Sequence, residues 1–260
     1  MSTNKSIKNP NVETLGAVNQ GKPDRLHEIS VRPTAEEAGG KKISLLKHGD
    51  LLTRDEFHRR YEATPHLKKI ELIEGVVYMG SPVRHTRHSQ PHGHMMGWLA
   101  VYSAATPGTD FGDNATVRLN DDSEVQPDAF LRLESELGGY SQVSGDDYIE
   151  GAPELIIEIA AASTDYDLNI KFEVYQHCGV QEYIVWQTED EQLDWFRLVE
   201  GVYVPLHANA AGVIESRAFP GLRLAVEALL AKNLATVLVE LQKGLDTPEH
   251  TAFVDRLSKA

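Results

Sequence analysis

Two short runs constrain this chain most: Glu154-Leu-Ile-Ile-Glu-Ile-Ala160 and Gln181-Glu-Tyr-Ile-Val-Trp-Gln187. Each is a brief, nearly continuous apolar stretch of the kind that forms a central strand, covered on both faces. Between them, Asp165 to Cys178 turns helical, with Leu168, Phe172, Val174 and Tyr175 on or near one face. Gly179 stands where a C-cap glycine would end that helix. Strand, helix and strand at the centre already point to an α/β fold.

The flanks fit the same class. Thr53 with Glu56 three residues later reads as a capping box opening a short amphipathic helix that Pro65 ends. Ile70 to Met79 reads as two strands about a tight turn at Glu74-Gly75. Pro91 to Ala105 suits a buried helix, with the proline in its first turn. Turns are expected around 106–114 and a short strand at Ala115–Leu119. Residues 125–133 read as one strand containing Pro127, hence an edge, a bulge or a strand start. Gly138 to Gly151 reads as loop, and Leu193–Val199 with Val202–Ala208 as a hairpin about Glu200-Gly201. Residues 223–245 read as a closing helix pair. The expected architecture is a mixed central β-sheet flanked by helices.

At 260 residues the chain is one ordinary domain with tails, or at most two small domains. The expected division is a disordered extension over 1–46, a folded domain over 47–240 and a helical appendage over 241–260. No run of about eighteen apolar residues exists, so no membrane span is expected. The N-terminus lacks an apolar secretory core, and Cys178 is the single cysteine, as suits a reducing cytoplasm. The formal net charge of -14 excludes a protein that coats nucleic acid by a generally basic surface.

Against that background, Glu158 is out of place. It shares a strand face with Ile156 and Ala160, while Leu155, Ile157 and Ile159 take the other. A carboxylate buried there is costly unless paired or bound to a metal. The plain alternatives are a strand-end glutamate reaching solvent or a salt bridge to a lysine. Asp128, after Pro127, points to the face of Phe130, though Pro-Asp alone is an ordinary turn. Lys171 shares a helix face with Asp167 and Tyr175, and a lone helical lysine is ordinarily solvated surface. Taken together, two carboxylates from adjacent strands and the backbone carbonyl of Ile159 would offer hard oxygen ligands to Mg2+ or Mn2+. Such a cation acidifies a bound water, and a nearby lysine can assist it.

These residues also carry a resemblance. The runs Glu71-Leu-Ile-Glu-Gly-Val-Val-Tyr-Met79, Pro127-Asp-Ala-Phe-Leu131, Glu154 to Trp186 and Ser216 to Leu224 resemble the Uma family of putative restriction endonucleases. That family lies within the PD-(D/E)XK nuclease superfamily. The resemblance runs from about Asp50 to Leu230 and implies a restriction-endonuclease-like core. It implies a metal-dependent endonuclease that hydrolyses phosphodiester bonds in nucleic acid, with DNA the expected substrate and a homodimer expected by analogy. Asp128 and Glu158 match the family's metal-binding carboxylates. The superfamily's lysine position, two residues after that glutamate, is Ala160 here, and Lys171 matches the family's displaced lysine. Glu71 matches an N-terminal acidic position that extends the metal shell.

Two other readings stand beside this one. A non-catalytic binding or regulatory module could keep the same fold, which the acidic charge favours. His85, His88, His92 and His94 could supply zinc, since His88 and His92 are four apart, but Pro91 between them disfavours helix through His88. The bland reading is polar residues at a helix entrance. Asp110, Asp113, Asp121 and Asp122 lack the spacing of a calcium loop. Ser163-Thr164 reads as a helix cap, and Trp186, Trp195 and Phe196 as sheet packing.

Overall fold

The computed structural model describes residues 43–80, 82–160 and 166–259, with backbone alone for 166–168. The expected extension lies outside these residues except for 43–46, and so do the expected Ser163-Thr164 cap and the Asp167 side chain.

The chain opens with α1 (Arg54–Glu62), β1 (Ile70–Ile73) and β2 (Val76–Met79), and then a π-helical turn (His85–Ser89) runs into α2 (Gln90–Ala105). Strands β3 (Thr109–Asp113), β4 (Val117–Arg118), β5 (Glu124–Val125), β6 (Ala129–Leu133), β7 (Ser141–Val143), β8 (Ile149–Gly151) and β9 (Leu155–Ala160) follow. A second π-helical turn (Tyr166–Lys171) leads into α3 (Phe172–Cys178). Next come β10 (Glu182–Gln187), β11 (Gln192–Val199), β12 (Val202–Pro205), β13 (Val213–Glu215) and β14 (Arg223–Ala225). Helices α4 (Val226–Leu230), α5 (Leu234–Leu245) and α6 (Pro248–Leu257) close the chain. No helix among the described residues is long and apolar enough to cross a membrane.

The α/β class is as expected, but the strands divide between two mixed six-stranded sheets and a small hairpin. The first sheet runs β2-β1-β5-β4-β8-β7 and the second β12-β11-β10-β9-β6-β3. The division falls at Pro127. Residues 125–133 do not form one strand: β5 ends in the first sheet at Val125 and β6 begins in the second at Ala129. Proline cannot donate to a ladder, so the chain changes sheets there. This leaves Asp128 on the seam between the two sheets.

In the second sheet, β9 and β10 are parallel neighbours, as two continuous apolar runs joined by a helix require. Alternate residues of β9 serve different cores. Leu155, Ile157 and Ile159 pack with Trp98 and Leu99 of α2, Leu241 of α5 and Phe253 of α6. Ile156 and Ala160 pack with Val117, Val125 and Ile149 of the first sheet and with Val174 and Tyr175 of α3. Glu158 belongs to this second face, beside the first sheet. A third cluster packs Phe57 of α1 on Ile70, Leu72 and Val77.

Several local expectations need correction. The turn-rich stretch after Pro107 contains β3, whose Gly112 lies opposite Phe130 and lets that ring cover the strand. The Gly-, Ser- and Asp-rich loop at 138–151 holds the β7–β8 hairpin. Residues Arg223–Ala225 form β14 before the helices start. Pro91 does not stop helix at His88, because wider π-type hydrogen bonding carries His85–Ser89 into α2. The Arg87 carbonyl, which an ordinary α-helix would pair with the N–H that Pro91 lacks, accepts the Thr188 hydroxyl at 2.6 Å instead. Gly179 does end α3 in the left-handed conformation, and Trp186 and Trp195 do pack in the core.

The Gly112–Phe130 contact yields a stability prediction. A Cβ at position 112 would fall within the Phe130 ring, which is itself buried. Gly112→Ala is expected to lower unfolding free energy by about 1–3 kcal/mol, read from urea titrations. An unchanged midpoint would mean that the ring is free to move.

Candidate active site

The β6–β9 register brings the two predicted carboxylates together. Ala129 pairs with Ile157 and Phe130 with Ile156, antiparallel. One more step of that register sets Asp128 opposite Glu158, and directly opposed residues share a sheet face. The ladder stops short of that step. In its place the Asp128 carboxylate accepts the Ile159 N–H at 2.7 Å. Both carboxyl groups are buried, each residue 2% exposed.

Asp128 gathers basic side chains from the N-terminal part of the chain. Lys69 donates to its Oδ1. His88 Nε2 lies 3.1 Å from both Oδ1 and Oδ2. His92 Nε2 lies 2.8 Å from the main-chain oxygen of Asp128 and 3.1 Å from Asp113 Oδ1. Burial pushes the Asp128 pKa up, but the His88 hydrogen bond and the Lys69 charge outweigh it and hold the carboxyl well below the usual range. Burial likewise pulls the Lys69 ammonium down, and the charges of Asp128 and then Glu158 more than reverse this. One ammonium group therefore feels both carboxylates.

Glu158 has a different set of partners. Lys171 Nζ donates to its Oε1 at 2.8 Å, and so does the Tyr175 hydroxyl at 2.8 Å. Lys171 Nζ also lies 3.0 Å from Glu71 Oε1, and that oxygen accepts the Gln126 N–H at 2.7 Å. Lys171 is 2% exposed. The π-helical turn at 166–171 brings this lysine back over the strand it follows. Three of the four predicted side chains, Glu71, Glu158 and Lys171, thus share one ionic group, while Asp128 forms a second with Lys69 and His88 and is tied to the residue after Glu158 by the Ile159 N–H.

Sequence reasoning missed Lys69. It sits 59 residues before Asp128, just ahead of β1, and a lysine in that setting normally points into solvent. Its backbone is in the left-handed region at φ 53°, which is uncommon for a residue with a side chain. Its carbonyl accepts the Gly80 N–H at 3.0 Å, and a Cβ at Gly80 would press on that carbonyl and on the lysine stem. The histidines lie at a helix entrance against Asp128. The described residues contain no group of three or more His, Cys, Asp or Glu side chains arranged to hold a metal, so the zinc arrangement is not preformed among them.

The donor chemistry nevertheless suits a hard cation. Mg2+ keeps several waters and commonly takes only one or two carboxylates. Asp128, Glu158 and a main-chain carbonyl would suffice, provided that Lys69 and Lys171 yield some of their hold on the oxygens. Cys178 offers no rival chemistry: burial, and then the charge of Glu74, pushes its thiol up to about 11.

Among known proteins, a family model described as "Uma2: Putative restriction endonuclease" matches residues 54–227. Of solved structures, the chain is similar to one described as "a putative nuclease belonging to DUF820" from Anabaena variabilis ATCC 29413, with a TM-score of 0.51. The two are 17% identical over 69% of this chain and 98% of that one, so the likeness speaks for the fold. No curated protein matches the chain.

Two predictions follow from the charge pairs. Lys171→Met leaves Glu71 and Glu158 facing each other without their shared ammonium, and should cost about 3–5 kcal/mol of unfolding free energy by urea titration. Asp128 supplies a pH dependence. Its carboxyl stays ionised in the fold where the unfolded chain, near pKa 3.9, takes up a proton. Its contribution is therefore complete well above about pH 4 and shrinks as pH falls toward the folded value. The stability gap between wild type and Asp128→Asn should narrow from pH 6 to pH 3, and a constant gap would contradict the pairing.

Proposed function

The chain belongs to the Uma2 family of putative restriction endonucleases, and from that premise we propose that it is a divalent-cation-dependent endonuclease acting on DNA. What carries this reading is the juxtaposition of Asp128 and Glu158 across the β6–β9 pair, with Lys69 in the field of both. In this reading Asp128, Glu158 and the Ile159 carbonyl hold Mg2+ or Mn2+, and Glu71 completes the acidic shell through Lys171. The cation supplies a more acidic bound water and draws charge from the phosphorus.

The protein's own groups then divide the remaining work. Lys171, buried between Glu71 and Glu158, would hold Glu158 in place and so assist the attacking water from that side. Lys69 has a side chain 29% exposed, so it is the ammonium group with access to a bound phosphate. It would stabilise the charge that builds on the phosphate oxygens. His88 fixes the other edge of Asp128.

One observation favours a second reading, a nucleic-acid-binding module without catalysis: both carboxylates already have ammonium partners. The two readings separate in one experiment. Supercoiled plasmid, single-stranded DNA and RNA are incubated with the protein and Mg2+ or Mn2+, with EDTA as the control. The nuclease reading expects plasmid cleavage that EDTA abolishes. Asp128→Asn and Glu158→Gln should each lower the rate at least about a hundredfold, and Lys69→Met about as much. Calorimetry should show saturable Mn2+ binding that Lys69→Met retains and the carboxylate variants lose. Binding of nucleic acid with neither cleavage nor saturable Mn2+ uptake would establish the second reading.

A further inference from the structure

One surface feature is used by neither the fold nor the proposed chemistry. The chain carries 39 acidic residues, yet between Glu74 and Asp110 it has no Asp or Glu. That stretch contains Arg84, His85, Arg87, His88, His92 and His94. Arg84, His85 and Arg87 are exposed, and so is Lys68 beside Lys69. Lys69 and His88 meet on the same oxygen of Asp128, and Gly80 is hydrogen-bonded to Lys69. The basic segments 68–69 and 84–88 therefore converge at the edge of the site. Arg87 pairs with Glu189, while Lys68 and Arg84 have no such counter-ion among the described residues.

We propose that Lys68 and Arg84 form a rim that binds the phosphodiester backbone of nucleic acid alongside the bond to be cut. This rests on the nuclease reading and adds the surface on which its substrate lies. At physiological salt the Debye length is about 8 Å, so charges near the phosphates govern contact; Glu189 lies within that range and takes up the charge of Arg87. The segment from Val83 to Gly97 has no Phe, Tyr or Trp, and so no stacking platform for bases. The rim therefore meets nucleic acid through charge on phosphate, not through stacking on bases.

The test is fluorescence anisotropy of a labelled DNA duplex with full-length protein in EDTA, across a salt series. Lys68→Gln with Arg84→Gln should weaken binding about tenfold per charge at 0.1 M salt and reduce the log–log salt slope by about 1.8. Arg256→Gln with Lys259→Gln serves as control. Those residues lie on or just after α6, whose His250 packs on Tyr102 and Thr106, near the end of α2 away from the site. The control pair should leave the slope unchanged. Equal slopes for the two double variants, no binding by wild type, or equal retention of polyglutamate and DNA would each overturn the rim. Hydrolysis of bis(4-nitrophenyl) phosphate by wild type tests the nuclease reading separately, because that small diester extends little beyond the scissile bond.

Discussion

The bond from the Ile159 N–H to the Asp128 carboxylate is the contact on which the site depends. Pro127 ends one sheet and the chain enters another, so an ordinary ladder bond is missing at the point where Asp128 would pair with Glu158. The aspartate supplies the missing acceptor with its side chain. In doing so it buries a charge, and a buried charge must find partners. The partners come from the first sheet's side of the molecule, Lys69 ahead of β1 and His88 ahead of α2. Glu71 of β1 reaches across in the same way, through Lys171 to Glu158 of β9. The seam between the sheets is thus closed by ionic contacts at the place where the chemistry is proposed.

Burial of a carboxylate does not by itself mark such a site in this protein. Glu154 is 3% exposed and Glu182 is 1% exposed, yet both have structural roles. Glu154 accepts the N–H groups of Leu133 and Tyr140. Glu182 accepts those of Arg217 and Ala218, with the Ser216 hydroxyl and the Trp195 indole; burial still raises its pKa against these bonds. Main-chain donors are fixed by the fold and cannot leave. Many of the partners of Asp128 and Glu158 are instead ends of side chains, Lys69 and His88 on one and Lys171 and Tyr175 on the other. That difference in partners separates the candidate site from the structural carboxylates more sharply than burial does.

This distinction also explains what could be read from the sequence. The two apolar runs, the Gly179 cap and the face assignment of Glu158 depend on neighbours within a few residues, and they are legible there, whereas Pro127 reads as lying inside one strand and not as the change of sheet. Lys69 depends on a partner 59 residues away and on a left-handed backbone, neither of which leaves a local trace. Strands β4 and β5 have two residues each and β7 and β8 three, too short for alternation to stand out in polar sequence. The division into two sheets was hidden for the same reason, since one of the sheets is built largely from such strands.

The net charge of -14 is an objection to any polyanionic substrate. The objection treats charge as uniform over the molecule. Attraction to phosphate is decided within about one Debye length, and the acid-free stretch after Glu74 lies within that range of the site through Lys69 and His88. Inside the site the acidic groups also have basic partners: Lys69 and His88 meet Asp128, and Lys171 is shared between Glu71 and Glu158.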